Sequence, residues 1–226
     1  MASGWVARLL GRAMAWYVRL VAATCRVHGP PVAADQVVIA CWHEYNLAAA
    51  IAAWRLRPEP RHVSFSTRTF RGQVMNEMLA RLDTASVPLP DEGSRAESAA
   101  LARTMARIGR EGASLVVSPD GPFGPYRRAK PGALIVARAA GLPIVPWAVA
   151  VRPPVRLRGR WDRHVVPLPF CRLWVEEGER IVVGARQPLR PLLARLQAEL
   201  DAATARADRR MGSPSLPAPG TMEDPP

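Results

Sequence analysis

The feature that most constrains the fold is the stretch 114–150, SLVVSPDGPFGPYRRAKPGALIVARAAGLPIVPWAVA. It reads as a buried strand over 115–118, a proline-stiffened loop, a helix over Gly132–Ala140 and a second buried strand over 144–151. Strand–helix–strand units of this length are typical of parallel sheets. The loop then lies at the carboxyl edge of a sheet, where open α/β folds bind their ligands.

The same alternation continues on both sides of this stretch. Short apolar runs predict further strands over 37–41, 62–66 and 85–89. Helical patterns cover 44–55 and 73–82, and Ser94 opens another helix with a capping box. After residue 170 we expect a hairpin of 172–175 with 180–183, then an amphipathic closing helix. The sequence therefore predicts an α/β fold with a single, mostly parallel sheet flanked by helices.

Arginines interrupt the apolar segment 5–27. At about 100° per residue, Arg8, Arg12, Arg19 and Arg26 fall within an arc of about 40° on a helix. In a bilayer span, Arg12 and Arg19 would lie near the centre and cost roughly 2.5–3.5 kcal/mol each. They also interrupt the apolar core that a signal peptide needs. The pattern favours an amphipathic helix lying in the membrane interface, and a surface helix packed on the protein's own core is the alternative.

We accordingly divide the chain into three parts: an interfacial helix over 1–29, an α/β domain over 30–210 and a disordered, proline-rich tail over 211–226. The net charge of +12 predicts an anionic partner, such as a membrane surface with anionic lipids. Nucleic-acid binding is not expected, because the arginines are dispersed without interleaved aromatic residues. The cysteines and histidines show no metal-ligand spacing, so no metal is expected. We expect a monomer.

The loop 118–131 carries the first candidate site residues. Its prolines lack N–H groups, which excludes a phosphate cradle built from successive backbone amides. The loop would instead hold Asp120 rigidly, with Gly121 free to adopt unusual backbone angles. Arg127, Arg128 and Lys130 follow and can bind an anion through their side chains. The alternative is a structural turn in which Asp120 binds its own backbone.

His43 is the second candidate, because it directly follows the strand 37–41 and shares its sheet edge with Asp120. A histidine at this place can act as general base on a substrate hydroxyl, which is worth about 10²–10⁴ in rate. The alternative is a histidine that is satisfied by a neighbouring carbonyl. Two polar candidates at one edge of one sheet favour a site.

Taken in order, five motifs resemble the lysophospholipid acyltransferase superfamily: WH at 42–43, GSRAES at 93–98, SPDGPFGP at 118–125, GLPIVPWAV at 141–149 and WDRHVVPLPF at 161–170. They are most similar to its small bacterial branch, known as a domain of unknown function. The resemblance covers roughly residues 35–185.

The resemblance implies an acyltransferase-like fold and transfer of an acyl group to a lipid hydroxyl. The donor would be acyl-CoA or acyl carrier protein as co-substrate, with no further cofactor. His43 corresponds to the catalytic base, and Asp120 with Gly121 to the acid–glycine pair of a substrate motif. Ser94 and Arg95 correspond to a motif that binds the acceptor phosphate. The implied location is the cytoplasmic face of the inner membrane, where the protein would be peripheral or monotopic.

The chain departs from the family pattern at two positions. In the family, four residues separate the histidine from an aspartate that orients the imidazole, and the position of that aspartate is Ala48 here. Phe123 replaces an arginine of the branch's PDGPRGP motif. Glu44, Asp120 or a backbone carbonyl could orient the His43 ring instead, and we favour Asp120, because neighbours on a helix such as His43 and Glu44 point about 100° apart. We expect Arg95, Arg127 or Arg128 to take over the phosphate contact. The alternative is a catalytically weak or inactive member that binds acylated lipids at the membrane.

Overall fold

The computed structural model describes residues 2–29, 35–56, 61–88, 95–121 and 123–212. The helices are α1 (Ala2–Thr24), α2 (Asn46–Leu56), α3 (Phe70–Ala80), α4 (Arg95–Arg110), α5 (Gly132–Ala140) and α6 (Leu189–Met211). The strands are β1 (Arg26–His28), β2 (Val38–Cys41), β3 (His62–Ser66), β4 (Ala85–Pro88), β5 (Ser114–Val117), β6 (Ile144–Arg152), β7 (Val155–Arg156), β8 (Val165–Val166) and β9 (Arg172–Glu177). A 3-10 turn, His43–Tyr45, joins β2 to α2.

Within the described residues, seven strands form one sheet in the order β1-β9-β6-β2-β5-β3-β4. All neighbours in this sheet are parallel except β6 and β9. The central strands β2 and β6 are buried along almost their whole length, as expected where helices cover both faces of a sheet. The predicted α/β fold with a mostly parallel, helix-flanked sheet is confirmed.

The direction in which the chain winds reverses between β2 and β5, and we call the region at the carboxyl ends of these two strands the crevice. From β2 the chain moves outward to β3 and β4, returns to β5 beside β2, and then passes β2 to reach β6. Right-handed crossovers put α2 and α3 on one face of the sheet and α4 and α5 on the other. The chain therefore leaves the adjacent strands β2 and β5 toward opposite faces, which is where α/β sheets bind ligands.

Helix α1 packs against α3 and α2 with a face of small residues. A Cβ on Gly11 would collide with Cβ of Glu77, so glycine permits this close approach. The inner face contributes to the same core as the sheet, while Trp5, Leu9 and Trp16 on the other face are exposed. Among the described residues, no helix is long and apolar enough to cross a membrane.

The predicted hairpin after residue 170 is wrong. The two edges of β9 are occupied by β1 and β6, so no edge remains for 180–183. Ile181 forms a single bridge with Ile144 instead. Ser94 and most of the predicted tail, from residue 213 onward, lie outside the described residues.

Candidate functional site

Three segments meet at the carboxyl ends of β2 and β5. The 3-10 turn His43–Tyr45 follows β2, the proline-rich loop 118–131 follows β5, and the segment 160–164 lies between β7 and β8. Trp161 packs on the proline-rich loop so closely that a Cβ on Gly124 would lie 2.7 Å from its Cε3 atom. The chain thus brings His43, Asp120 and the segment 160–164 to one place.

The backbone of His43 is held by Asp120. The His43 N–H donates to the Asp120 carboxylate, with distances of 3.1 Å to Oδ1 and 3.4 Å to Oδ2. The backbone N–H groups of His43, of Asp120 itself and of Arg127 act to lower the pKa of this carboxyl. Burial nevertheless raises the pKa of Asp120 to about 7, and the hydrogen bonds only partly offset this. Asp120 therefore fixes the position of His43 within the crevice.

The side chain of His43 faces a different acid, Asp162. The distance from His43 Nε2 to Asp162 Oδ2 is 4.0 Å, and the Asp162 side chain is fully buried. The imidazole also lies against Trp161, with 5.3 Å between ring centroids. Our expectation that Asp120 orients the ring is therefore wrong, because Asp120 binds the backbone while Asp162 approaches the imidazole.

Asp162 belongs to a small cluster of charged and titratable groups. Arg160 donates two hydrogen bonds of 2.8 Å to its two carboxylate oxygens. His164 Nδ1 lies 3.6 Å from Asp162 Oδ2. Two histidines therefore lie beside one buried aspartate.

The protonation state of His43 follows from its surroundings. Burial lowers its pKa to about 4, the charge of Asp162 opposes this shift, and His164 and Arg160 add to it. The imidazole is accordingly neutral at pH 7. With 26% of its side chain exposed, it remains within reach of a substrate in the crevice.

Arg127 is not available to a ligand, in contrast to the sequence-based expectation. Its guanidinium is buried and forms an ion pair with Glu44, whose side chain is also fully buried. Arg156 donates to the other oxygen of Glu44 at 2.9 Å, and the Tyr126 hydroxyl donates to that oxygen at 2.8 Å. This buried cluster ties the proline-rich loop to the 3-10 turn that carries His43.

The other predicted substrate-binding residues divide into two groups. Arg128 and Lys130 are exposed, and Lys130 extends toward Gly121, where a Cβ would lie 3.7 Å from Nζ. Gly121 has a φ of +68°, which favours glycine at this position. Arg95 begins α4, but its side chain and the whole of Ser94 lie outside what the structure describes.

Comparison of the sequence and the fold with known proteins finds one partial similarity. No family model and no solved structure matches the chain. An uncharacterized protein of Rickettsia prowazekii (strain Madrid E) is 29% identical over 75 residues. The matched stretch spans 33% of this chain and only 31% of that protein. The similarity thus concerns about a third of each chain.

Sequence reasoning missed the roles of Asp162 and His164. The segment that contains them was recognised only as part of a motif, and its charged residues were not assigned to the site. A loop without periodicity gives no indication of what it packs against. The pairing of Trp161 and Asp162 within a motif was the one signal that pointed to them.

Among the described residues, no group of three His, Cys, Asp or Glu side chains is arranged to hold a metal ion. The groups that the site does offer are a neutral imidazole, a buried aspartate near it and exposed cations beside the crevice. A neutral imidazole can accept a proton from a hydroxyl, and the cations can attract an anionic substrate.

Proposed function

We propose that this protein is an acyltransferase that moves a fatty acyl group from an acyl thioester to a hydroxyl of a lysophospholipid or related lipid. The donor is acyl-CoA or acyl carrier protein. The observation that carries the proposal is the position of His43, whose neutral imidazole lies at the switch-point crevice with its backbone fixed by Asp120. The reaction class, acyl transfer, comes from the resemblance of the ordered sequence motifs to the lysophospholipid acyltransferase superfamily.

In the proposed reaction, His43 takes the proton of the acceptor hydroxyl while the oxygen attacks the thioester carbonyl carbon. The tetrahedral intermediate then collapses, the carbon–sulfur bond breaks, and the imidazolium returns its proton to the leaving thiolate. Arg128 and Lys130 would attract the anionic part of a substrate. The role of Ser94 and Arg95 in binding the acceptor phosphate stays a prediction from the resemblance.

Lipid mass spectrometry tests the proposed substrate class. Extracts from cells that lack the protein and from cells that overproduce it should differ in one pair of lipids, related by a single acyl chain. Overproduction of His43→Gln should leave that pair at the level of the deletion strain. Identical lipid profiles in all three strains would contradict the proposal.

The second candidate function is binding of acylated lipids without turnover. Two observations favour it: Ala48 occupies the position of the family's orienting aspartate, and the 4.0 Å between His43 and Asp162 exceeds hydrogen-bond distance. Such a protein would bind lipid and acyl thioester but release no free thiol. A thiol-release assay therefore separates the two functions.

We also propose that the exposed face of α1 lies on anionic membranes. Trp16 is 68% exposed, and Trp5 and Leu9 extend the same apolar face. Arg8 and Arg12 are exposed along its border, where they can meet lipid phosphates. An apolar face with a basic border is the arrangement of helices that lie in the interface.

A loop beside α1 extends this face. The Tyr17 hydroxyl donates to the Pro167 carbonyl at 2.7 Å, and Thr24 Oγ1 accepts from the Phe170 N–H at 3.2 Å. These bonds hold Phe170, which is 80% exposed, next to the end of α1. Phe170 would thus enter the interface together with the tryptophans.

The double substitution Trp5→Ser/Trp16→Ser should weaken binding to anionic vesicles by at least about tenfold, because each buried aromatic side chain contributes on the order of 1.5–3 kcal/mol. Cosedimentation with vesicles of phosphatidylglycerol and phosphatidylcholine measures this. Val182→Ser is the matched control, since Val182 is 72% exposed but lies on the chain after β9. Equal binding by the double variant and the control would contradict the docking face.

A further inference from the structure

We infer that Asp162 is a positioning residue that supplies the charge partner of the His43 imidazole during proton transfer. The inference deepens the proposed function, and it rests on that function for its role in turnover. It concerns a residue in the segment 160–164, far from His43 in sequence. The supporting observations are the burial of Asp162, its distance from the ring, and the groups that share it.

Asp162 is buried but remains an ionised acid. Burial alone would raise the pKa of Asp162, but hydrogen bonds and charge from Arg160, with the two histidines, lower it below the usual value. A full negative charge therefore lies 4.0 Å from Nε2 of His43, within a largely desolvated environment. At the same distance, two charges interact far more strongly in such an environment than they do in water.

The charge of Asp162 matters most at the moment when His43 takes up a proton. A neutral imidazole gains little from a nearby carboxylate, whereas the imidazolium gains a strong attraction. The interaction thus grows toward the transition state, which is the condition for lowering a barrier.

Arg160 has the opposite effect on His43, although it binds the same aspartate. The groups that act on the His43 ring are Asp162, which favours the imidazolium, and Arg160 and His164, which oppose it. Asp120, in contrast, accepts a hydrogen bond from the backbone N–H of His43. Asp162→Asn and Arg160→Gln both break the Arg160–Asp162 ion pair, yet they leave opposite charges beside the ring.

This pair of variants separates positioning from structural support. If Asp162 serves only to hold Arg160 and its loop, the two variants should have the same effect, because they break the same bonds. If Asp162 is the charge partner, Arg160→Gln should raise the pKa of His43 by about half a unit or more, and Asp162→Asn should lower it. The pKa is measured by NMR titration of the imidazole, with circular dichroism to confirm folding.

Kinetics provide the second readout. Asp162→Asn should lower kcat for acyl transfer by about 10²-fold or more while KM stays within about threefold, because the charge acts on the transition state. An unchanged His43 pKa in Arg160→Gln, shifts of the same sign in both variants, or a kcat of Asp162→Asn within about threefold of the wild type would overturn the inference.

The titration does not depend on turnover. If the wild-type protein transfers no acyl group from any donor, the proposed function fails, and the opposite pKa shifts still decide whether Asp162 is the charge partner of His43. If Asp162→Asn does not fold, the upward shift in Arg160→Gln alone supports the inference, and its absence contradicts it.

Discussion

Replacing Glu44 by glutamine should lower the free energy of unfolding by about 3–5 kcal/mol. The fully buried carboxylate of Glu44 is the counter-ion of Arg127, which is itself buried, and of Arg156. Glutamine keeps the shape but removes the charge, so Arg127 would remain buried without compensation. Urea unfolding followed by circular dichroism measures the change.

The matched control is an ion pair at the surface. Glu179 lies 3.1 Å from Arg195, with side-chain exposures of 75% and 47%. Because solvent screens such a pair, Glu179→Gln should change the free energy of unfolding by less than about 1 kcal/mol. Similar small losses in both variants would show that the Glu44 cluster does not stabilise the site as described.

Replacing His43 by glutamine should reduce acyl transfer by about 10²–10⁴-fold, because the variant has no base for the acceptor hydroxyl. Glutamine is close to histidine in size and keeps the backbone N–H that donates to Asp120. Binding of vesicles and of the thioester should therefore persist. The rate of labelled acyl transfer, measured beside the binding affinities, shows whether the loss is confined to the chemical step.

His28→Gln is the control for this substitution. His28 is exposed on β1, the edge strand of the sheet, where it stacks on Trp174 with 5.9 Å between ring centroids. Its replacement should leave the rate of transfer unchanged. If His43→Gln retained the rate of His28→Gln, His43 would not be the base, and His164 would be the next residue to test.

The sheet and the shared edge of His43 and Asp120 could be predicted because both depend on local patterns. Continuous apolar runs mark strands that are buried on both faces, and β2 and β6 are such strands. Parallel strands end at the same edge, so polar residues that directly follow them come together. The prediction therefore needed no knowledge of side-chain packing.

Strand β1 and the pairing of β9 could not be predicted in this way. β1 has three residues, of which Arg26 and His28 are exposed, so it shows no apolar run. Its place beside β9 is decided by register with a strand that comes much later in the chain. The hairpin of 172–175 with 180–183 was predicted from two neighbouring strand patterns, and such local patterns do not show that β9 already pairs with β1 and β6.

The partners of individual charged side chains could not be predicted from the sequence either. Arg127 follows the proline-rich loop directly, next to Arg128, and the sequence treats the two alike. In the fold Arg127 is buried against Glu44 while Arg128 is exposed. The approach of Asp162 to His43 likewise depends on how a loop without periodicity packs, which no local pattern encodes.

The most direct test of the account is the stoichiometry of acyl transfer by the purified protein. The protein is mixed with labelled acyl-CoA or acyl carrier protein and with vesicles that contain a lysophospholipid, and free thiol and acylated lipid are quantified together. We expect the two products to appear in equal amounts with the wild type and neither above background with His43→Gln. Binding of the vesicles and the thioester without release of thiol would contradict the account and identify a lipid-binding protein.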